Sequence, residues 1–178
     1  YWISRDFSRN SGTRDLTRHP LGPRDLPGLP EEFIDAAFEH DGGELIFSLP
    51  NGMQAYMLAD AKGAPIPVGP DFVFDKDSAT AARGKIVNPI SCFGCHDEGL
   101  IPFDDQIRKR SLLEHTPGVR EAIEELYVPG AELAGIFATD RKRFRAASEA
   151  GGTYVGKSGL GREPVVALAK RFESQPLY

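Results

Sequence analysis

A short cysteine–histidine motif in the middle of the chain has the residue types and spacing for covalent cofactor chemistry. Cys92 and Cys95 are the chain's two cysteines, two residues separate them, and His96 follows directly. Thiols at this spacing can add to the two vinyl groups on one edge of a porphyrin, and the next imidazole can then reach the iron. Cys-x-x-Cys-His is the pattern of c-type haem attachment. The sequence therefore predicts one covalent haem c per chain, bound at Cys92 and Cys95, with His96 as an iron ligand.

Three other uses of paired cysteines fit this motif less well. A structural zinc site needs four ligands, usually from a second Cys or His pair, and no such pair stands at suitable spacing. A thioredoxin-like redox pair should follow a buried strand and open a helix, whereas the run 88–91, Asn-Pro-Ile-Ser, interrupts the lead-in. A disulfide across two residues would be strained. We also expect Gly94 to provide a tight turn between the thiols.

The second axial ligand of the iron is harder to assign. Small cytochromes c carry the motif near their start and supply a methionine from their C-terminal half, but no methionine follows Cys95 here. A low-spin electron carrier needs a second strong ligand. The candidates, in order of preference, are His40, His19, His115 and the hairpin residue Met57, and an iron without a sixth ligand remains an option. His40 comes first because it stands at a predicted helix end beside Asp41-Gly42-Gly43, where a loop can present it.

The elements that must position these residues are short. Pro30 and the acidic pair after it predict a helix over 31–40, and Asn51-Gly52 between two apolar runs predicts a β-hairpin over 44–58. The run 72–74 could add a further strand. Helical spacing predicts helices within 104–173, over 104–114, 119–127, 131–150 and 164–172. We therefore expect a loop-rich α+β fold, mainly α with a small β-hairpin, in which an extended N-terminal arm (1–30) precedes a single haem domain (31–178).

Composition and charge limit the cellular locations and the kinds of partner that this chain could have. The formal net charge of −5 argues against an overall basic surface that would bind nucleic acid. No apolar run in the sequence approaches the length of about 20 residues that is needed to cross a bilayer. The chain does not begin with Met, which suggests a processed or trimmed product. Thioether attachment leaves no free thiol and suits an oxidising compartment, so we expect a periplasmic or extracellular location.

Two stretches of the sequence together resemble a known family. The run from His40 to Tyr56, followed by Asn88 to His96, is similar to a haem-c module found in large secreted proteins of planctomycete-type and related bacteria. The likeness extends from Tyr1 to about Phe144. The resemblance implies a c-type haem and export from the cytoplasm. His40 falls in the segment that looks like the family's signature, whereas Met53 stands where the family would carry Leu.

These observations predict an electron carrier. A single haem without a recognisable substrate-binding motif fits a protein whose redox potential depends on ligation and burial. Its partners would be redox proteins or neighbouring copies of itself, and residues 1–30 could join copies into a haem-stacking homopolymer. The alternative is a haem enzyme or sensor with an open iron, either peroxidase-like, with Asp41, Glu44 or His115 as acid or base, or gas-binding. A third possibility is a haem that only stabilises a small core.

Overall fold

The fold was taken from a computed structural model of the chain. The structure describes residues 1–5, 16–24, 27–74, 84–108, 110, 115–151 and 165. Its elements in chain order are strand β1 (Trp2–Ile3), a 3-10 helix (Glu31–Ala36), strands β2 (Gly42–Ser48) and β3 (Gln54–Asp60), and helices α1 (Ile90–Cys95), α2 (Pro117–Leu126) and α3 (Gly130–Ala150). The described residues thus form a small α+β arrangement of a three-stranded antiparallel sheet with helices.

The predicted hairpin is present and is the centre of the sheet. Strands β2 and β3 pair from Gly42 opposite Asp60 to Ser48 opposite Gln54. The turn between them is closed by the Gly52 N–H, which donates to the Leu49 carbonyl at 2.9 Å. Gly52 has a φ of +85°, a left-handed conformation that glycine adopts without steric cost. The Pro-Asn-Gly run therefore sets the turn, and the strands extend slightly beyond the predicted 44–58.

The third strand comes from the N-terminus. Trp2 pairs with Ile46 and Ile3 with Leu45, so the order is β1-β2-β3. The predicted strand at 72–74 does not join this sheet: Phe74 instead forms an isolated bridge with Lys85, and the outer side of β3 is bridged at Ala59 by Pro65. The described start of the predicted arm thus packs on its own chain rather than extending away from it.

The first predicted helix is shorter than expected and of another type. Only Glu31–Ala36 is helical, as a 3-10 helix, and Ala37 is already extended. The Phe38 N–H donates to the Gly22 carbonyl, and the Arg24 N–H donates to the Phe38 carbonyl, both at 2.9 Å. Pairing with 22–24 therefore takes the backbone hydrogen bonds that helix continuation to His40 would need.

The later helices agree with prediction where they are described. Helices α2 and α3 correspond to the predicted 119–127 and 131–150. In the predicted helix 104–114, the Asp105 side chain accepts hydrogen bonds from the N–H groups of Ile107 and Arg108. This capping places the helix start after Asp105, and 109 and 111–114 lie outside the described residues. Of the predicted helix 164–172, only Val165 is described, and it is helical.

Two apolar clusters hold these elements together. The first joins the sheet, α1 and α3, with the buried residues Ile46, Tyr56, Leu58, Cys92, Leu100 and Phe137. The Trp2 ring stacks on Phe137 with ring centroids 4.8 Å apart, and its indole N–H donates to Asp140. The second cluster packs 20–36 against α2, with the buried residues Leu21, Ala36, Val119 and Ile123. The cysteine–histidine motif belongs to the first cluster.

Candidate functional site

The motif occupies a single helical turn. Cys92 and Cys95 stand three residues apart in α1, a spacing that places two side chains on one helix face. The His96 N–H donates to the Cys92 carbonyl at 2.9 Å and ends the helix. The expectation that Gly94 provides a tight turn is wrong: it lies within α1, and a Cβ added there would meet nothing within 4 Å.

The lead-in to the motif is held by a compact set of hydrogen bonds. The Ser91 hydroxyl accepts the Val87 N–H at 2.9 Å, and the Ser91 N–H donates to the Val87 carbonyl at 2.9 Å. The Asn88 side-chain amide donates to the Ile66 carbonyl at 3.2 Å. These bonds tie α1 to 66–67, so the motif is anchored before its first cysteine.

The imidazole of His96 is oriented by the backbone that follows it. Its Nδ1 lies 3.2 Å from the Gly99 carbonyl oxygen, which requires Nδ1 to carry the proton in this bond and leaves Nε2 with its lone pair. Among the described residues, Nε2 has no hydrogen-bond partner. Burial lowers the pKa of His96, with the Gly99 hydrogen bond acting in the opposite direction. A neutral imidazole with a fixed tautomer is the form in which histidine binds metals.

The glycine that accepts this bond has little freedom to be replaced. Gly99 has a φ of +88°, and a Cβ added there would lie 3.0 Å from Cδ1 of Phe144. Phe144 is buried in α3, at 1% exposed. Gly99 therefore packs closely against Phe144 of α3, and in this position its carbonyl oxygen meets His96.

Tyr56 forms the other side of the His96 environment. The two rings are stacked, with centroids 5.5 Å apart and planes 28° apart, and Phe93 meets Tyr56 edge-on at 4.9 Å. Tyr56 lies in β3 and faces the first cluster. Tyr56 thus packs the hairpin against the motif through its ring contacts with His96 and Phe93.

The two thiols have different surroundings. Cys92 is buried and Cys95 is exposed. Burial raises the pKa of Cys92 to about 12, and the carboxylate of Glu44 and Cys95 add to the increase. A redox-active cysteine pair instead needs a thiol whose pKa is lowered. The environment of Cys92 therefore argues against a thioredoxin-like dithiol.

Apolar side chains near the motif remain accessible to solvent. Ile90, Ile101 and Phe103 are 45%, 55% and 62% exposed, and Phe103 meets the buried Phe137 edge-on at 5.1 Å. A porphyrin is a flat apolar ring, so exposed apolar residues that stand close in sequence to two thiols and an imidazole fit the group that the motif implies.

An ion pair ties the end of the motif to α3. Arg141 lies 3.3 Å from the Glu98 carboxylate, and each side chain is about one third exposed. At that exposure the pair contributes little to stability. The pair joins the loop after His96 to α3.

The structure does not bring His40 and His96 to the same side of the sheet. Side chains alternate between the two faces of a strand: Tyr56 and Leu58 face the first cluster with Cys92. Met57 lies between them on the opposite face, in a groove that His40 also lines. The sheet therefore separates His96 from both His40 and Met57, the two sixth-ligand candidates that lie in or next to the hairpin.

The other two histidine candidates lie beside the second cluster. Nδ1 of His19 is 3.0 Å from the Asp35 carbonyl oxygen, and Nε2 of His115 is 2.9 Å from that of Thr17. Both rings thus hold the 17–20 segment to neighbouring backbone. The sulfur of the other methionine, Met53, accepts a hydrogen bond from the Ser148 hydroxyl at 3.6 Å.

Sequence reasoning missed Gly99 and Tyr56 as parts of the site. For Tyr56 the signal was available, because the alternation along β3 puts it on the apolar face with Leu58. For Gly99 no local pattern indicated that its carbonyl would meet His96, since this contact depends on how the loop packs against Phe144.

Within the described residues, no group of three or more His, Cys, Asp or Glu side chains could hold a metal ion by itself. Haem iron needs no such group, because the porphyrin supplies four nitrogen ligands. Across the same parts of the chain, no helix is both long enough and apolar enough to cross a membrane. Comparisons with known proteins found no matching family model, no similar curated protein and no similar solved structure.

Proposed function

We propose that the protein is a monohaem c-type cytochrome that transfers electrons outside the cytoplasm, in the periplasm or extracellularly. One observation carries this proposal: Cys92 and Cys95 share a helical turn with His96, whose Nδ1 is bonded to the Gly99 carbonyl and whose Nε2 has no hydrogen-bond partner among the described residues. The thiols would hold haem c covalently, and Nε2 would ligate its iron.

The residues around the motif have distinct contributions in this proposal. A backbone carbonyl on Nδ1 orients an imidazole and raises its basicity as a ligand. The apolar surface of Ile90, Ile101 and Phe103 would exclude water from the ring. The bound haem would supply reversible one-electron iron chemistry, with a potential set by the axial ligands, by hydrogen bonding and by burial.

Covalent attachment is the first test. The chain is exported in a host that matures cytochromes c, and the purified protein is examined by its pyridine haemochrome spectrum and intact mass. We expect a c-type spectrum and the added mass of one haem. Cys92→Ala and Cys95→Ala should each leave one vinyl group unreacted and shift the haemochrome band. A protein of unmodified mass, with both thiols free, would refute the proposal.

Ligation by His96 is tested separately. His96→Ala should abolish stable maturation or give an iron without a strong protein ligand on that side. His115→Ala is the matched control, because its ring bonds the Thr17 carbonyl beside the second cluster. A reversible redox titration of the wild-type protein, without loss of its circular dichroism signal, separates a carrier from a haem that only stabilises the core.

A haem enzyme or sensor with an open iron is the second candidate, and two observations favour it. His40 and Met57 lie across the sheet from the motif. Glu44 lies close enough to Cys92 to raise its pKa, so an acid–base group is present on the motif side. A high-spin ferric iron that binds carbon monoxide once reduced, at every protein concentration, would support this candidate over the carrier.

A further inference from the structure

A groove lies on the face of the sheet opposite the motif, and strand pairing explains its shape. Gly43 pairs with Ala59, and Leu45 pairs with Met57. All four line the groove, because directly paired residues share a sheet face and so do residues two apart on a strand. The small pair at 43 and 59 forms a floor, and the larger pair rises beside it. We call this space the far groove.

The N-terminal segment forms another side of the far groove. Ile3 pairs with Leu45, so its side chain adds to the apolar wall on that face. The chain then passes over Gly43, where an added Cβ would overlap the Ser4 carbonyl oxygen, so only glycine permits this approach. Arg5 comes next and also lines the groove. An arginine therefore stands beside a small floor and an apolar wall that three strands build.

The charges in the lining favour an anionic ligand. None of the ion pairs within the described residues involves Arg5. The carboxylate of Asp60 is directed to the turn that follows β3, where its Oδ1 accepts two backbone N–H groups at 2.9 Å. The ring of His40 meets Phe38 edge-on, with centroids 6.5 Å apart. A guanidinium without an acidic partner matches the geometry of a carboxylate, which it binds through two parallel hydrogen bonds.

The size of the far groove limits the rest of the ligand. Its volume is about 100 Å³, whereas an apolar cavity of roughly 150 Å³ holds one benzene molecule. The space therefore accommodates about four to six heavy atoms and is far too small for a porphyrin. A ligand of this size with one charged end and one aliphatic end is a short-chain carboxylic acid.

We infer that the far groove binds a short-chain aliphatic carboxylate. The hydrocarbon part packs against Ile3, Leu45 and Met57, and the carboxylate pairs with Arg5. This site lies across the sheet from the cysteine–histidine motif and does not depend on the proposed haem attachment. Because the ligand touches β1, β2 and β3 together, it binds the folded chain and not the unfolded one, and its binding stabilises the fold.

The two methionines of the chain provide a probe and its internal reference. Met57 lines the far groove, whereas the sulfur of Met53 accepts the Ser148 hydroxyl at the hairpin turn. The full chain is labelled with ¹³C at the methionine methyl groups and titrated with isobutyrate. We expect a saturable shift of the Met57 resonance, with a Kd on the order of 1 mM for so small a ligand, and an unchanged Met53 resonance.

Two other small molecules separate the contribution of charge from that of shape. Isobutylamine has the same branched hydrocarbon with the opposite charge, and acetate has the same charge with a shorter hydrocarbon. Each should bind at least about tenfold more weakly than isobutyrate, because a charged hydrogen bond or a buried apolar group is lost. Isobutyrate should also raise the midpoint of thermal unfolding, and isobutylamine should not.

Variants then test the residue assigned to the carboxylate. Arg5→Gln should weaken isobutyrate binding about tenfold. Arg24→Gln is the matched control, since Arg24 lies outside the lining and pairs with Glu39 at 3.6 Å, and its affinity should equal that of wild type. Circular dichroism checks the fold of both. Should Arg5→Gln not fold, the comparison of isobutyrate with isobutylamine on the wild type decides. Equal shifts at both methionines, equal binding of isobutylamine, or full affinity in a folded Arg5→Gln would overturn the inference.

Discussion

The Nδ1 atom of His96 lies 3.2 Å from the carbonyl oxygen of Gly99. This contact joins the end of α1 to the loop that packs on α3, and it fixes the imidazole tautomer whose Nε2 can bind iron. The orientation of the proposed ligand therefore depends on a glycine outside the motif.

Replacing Gly99 by alanine should weaken both the fold and the site. A left-handed φ costs a non-glycine residue about 1–2 kcal/mol, and the new Cβ would press on Phe144. We expect a loss of more than that amount in the free energy of unfolding by urea. Gly63→Ala is the control, since Gly63 has a φ of +80° with nothing within 4 Å of an added Cβ. Equal losses for the two variants would show that the Phe144 contact does not matter.

Tyr56→Ala should be among the most damaging substitutions near the motif. Tyr56 is 7% exposed and packs on both His96 and Phe93, and removal of a buried aromatic ring costs about 3–5 kcal/mol. Tyr56→Phe keeps the ring and loses only hydroxyl bonds, at a cost of about 0.5–1.5 kcal/mol each. Thermal unfolding of both variants gives the comparison. A Tyr56→Phe variant as unstable as Tyr56→Ala would contradict a packing role.

The haem-free protein should lose stability as the pH falls through the ordinary histidine range. Burial lowers the pKa of folded His96, so the unfolded chain takes up a proton first, near about pH 6.5. Between the two pKa values the unfolded state binds more protons, and the free energy of unfolding decreases with decreasing pH. It levels off once folded His96 is protonated. Urea unfolding at a series of pH values should show this slope in wild type and a smaller one in His96→Gln.

The two thiols should react at different rates in the haem-free protein. Cys95 is exposed, whereas Cys92 is buried and its pKa is raised to about 12. Alkylation by iodoacetamide at neutral pH, followed by peptide mass mapping, should label Cys95 first, and Cys92 only on unfolding. Rapid labelling of Cys92 in the folded protein would mean that its thiol is accessible and ionised, as in a redox pair.

Much of the local structure follows from short sequence patterns. Asn51-Gly52 between apolar runs predicts the hairpin because few other residues adopt its turn, and the apolar spacing after Pro117 and Gly130 predicts two helices. These features depend on neighbours within a few residues, so sequence alone determined them.

Only the tertiary structure decided which groups meet. Trp2 and Ile3 became a third strand because their backbone pairs with β2 and the Trp2 ring packs on Phe137, partners more than forty positions away. The helix predicted to reach His40 stops at Ala36 because 22–24 takes its hydrogen bonds. The pleat of β3 then sends Tyr56 to His96 and Met57 to the opposite face. The cysteine–histidine motif is a local pattern of the sequence, whereas the separation of His40 from His96 arises from strand pairing that no short pattern encodes.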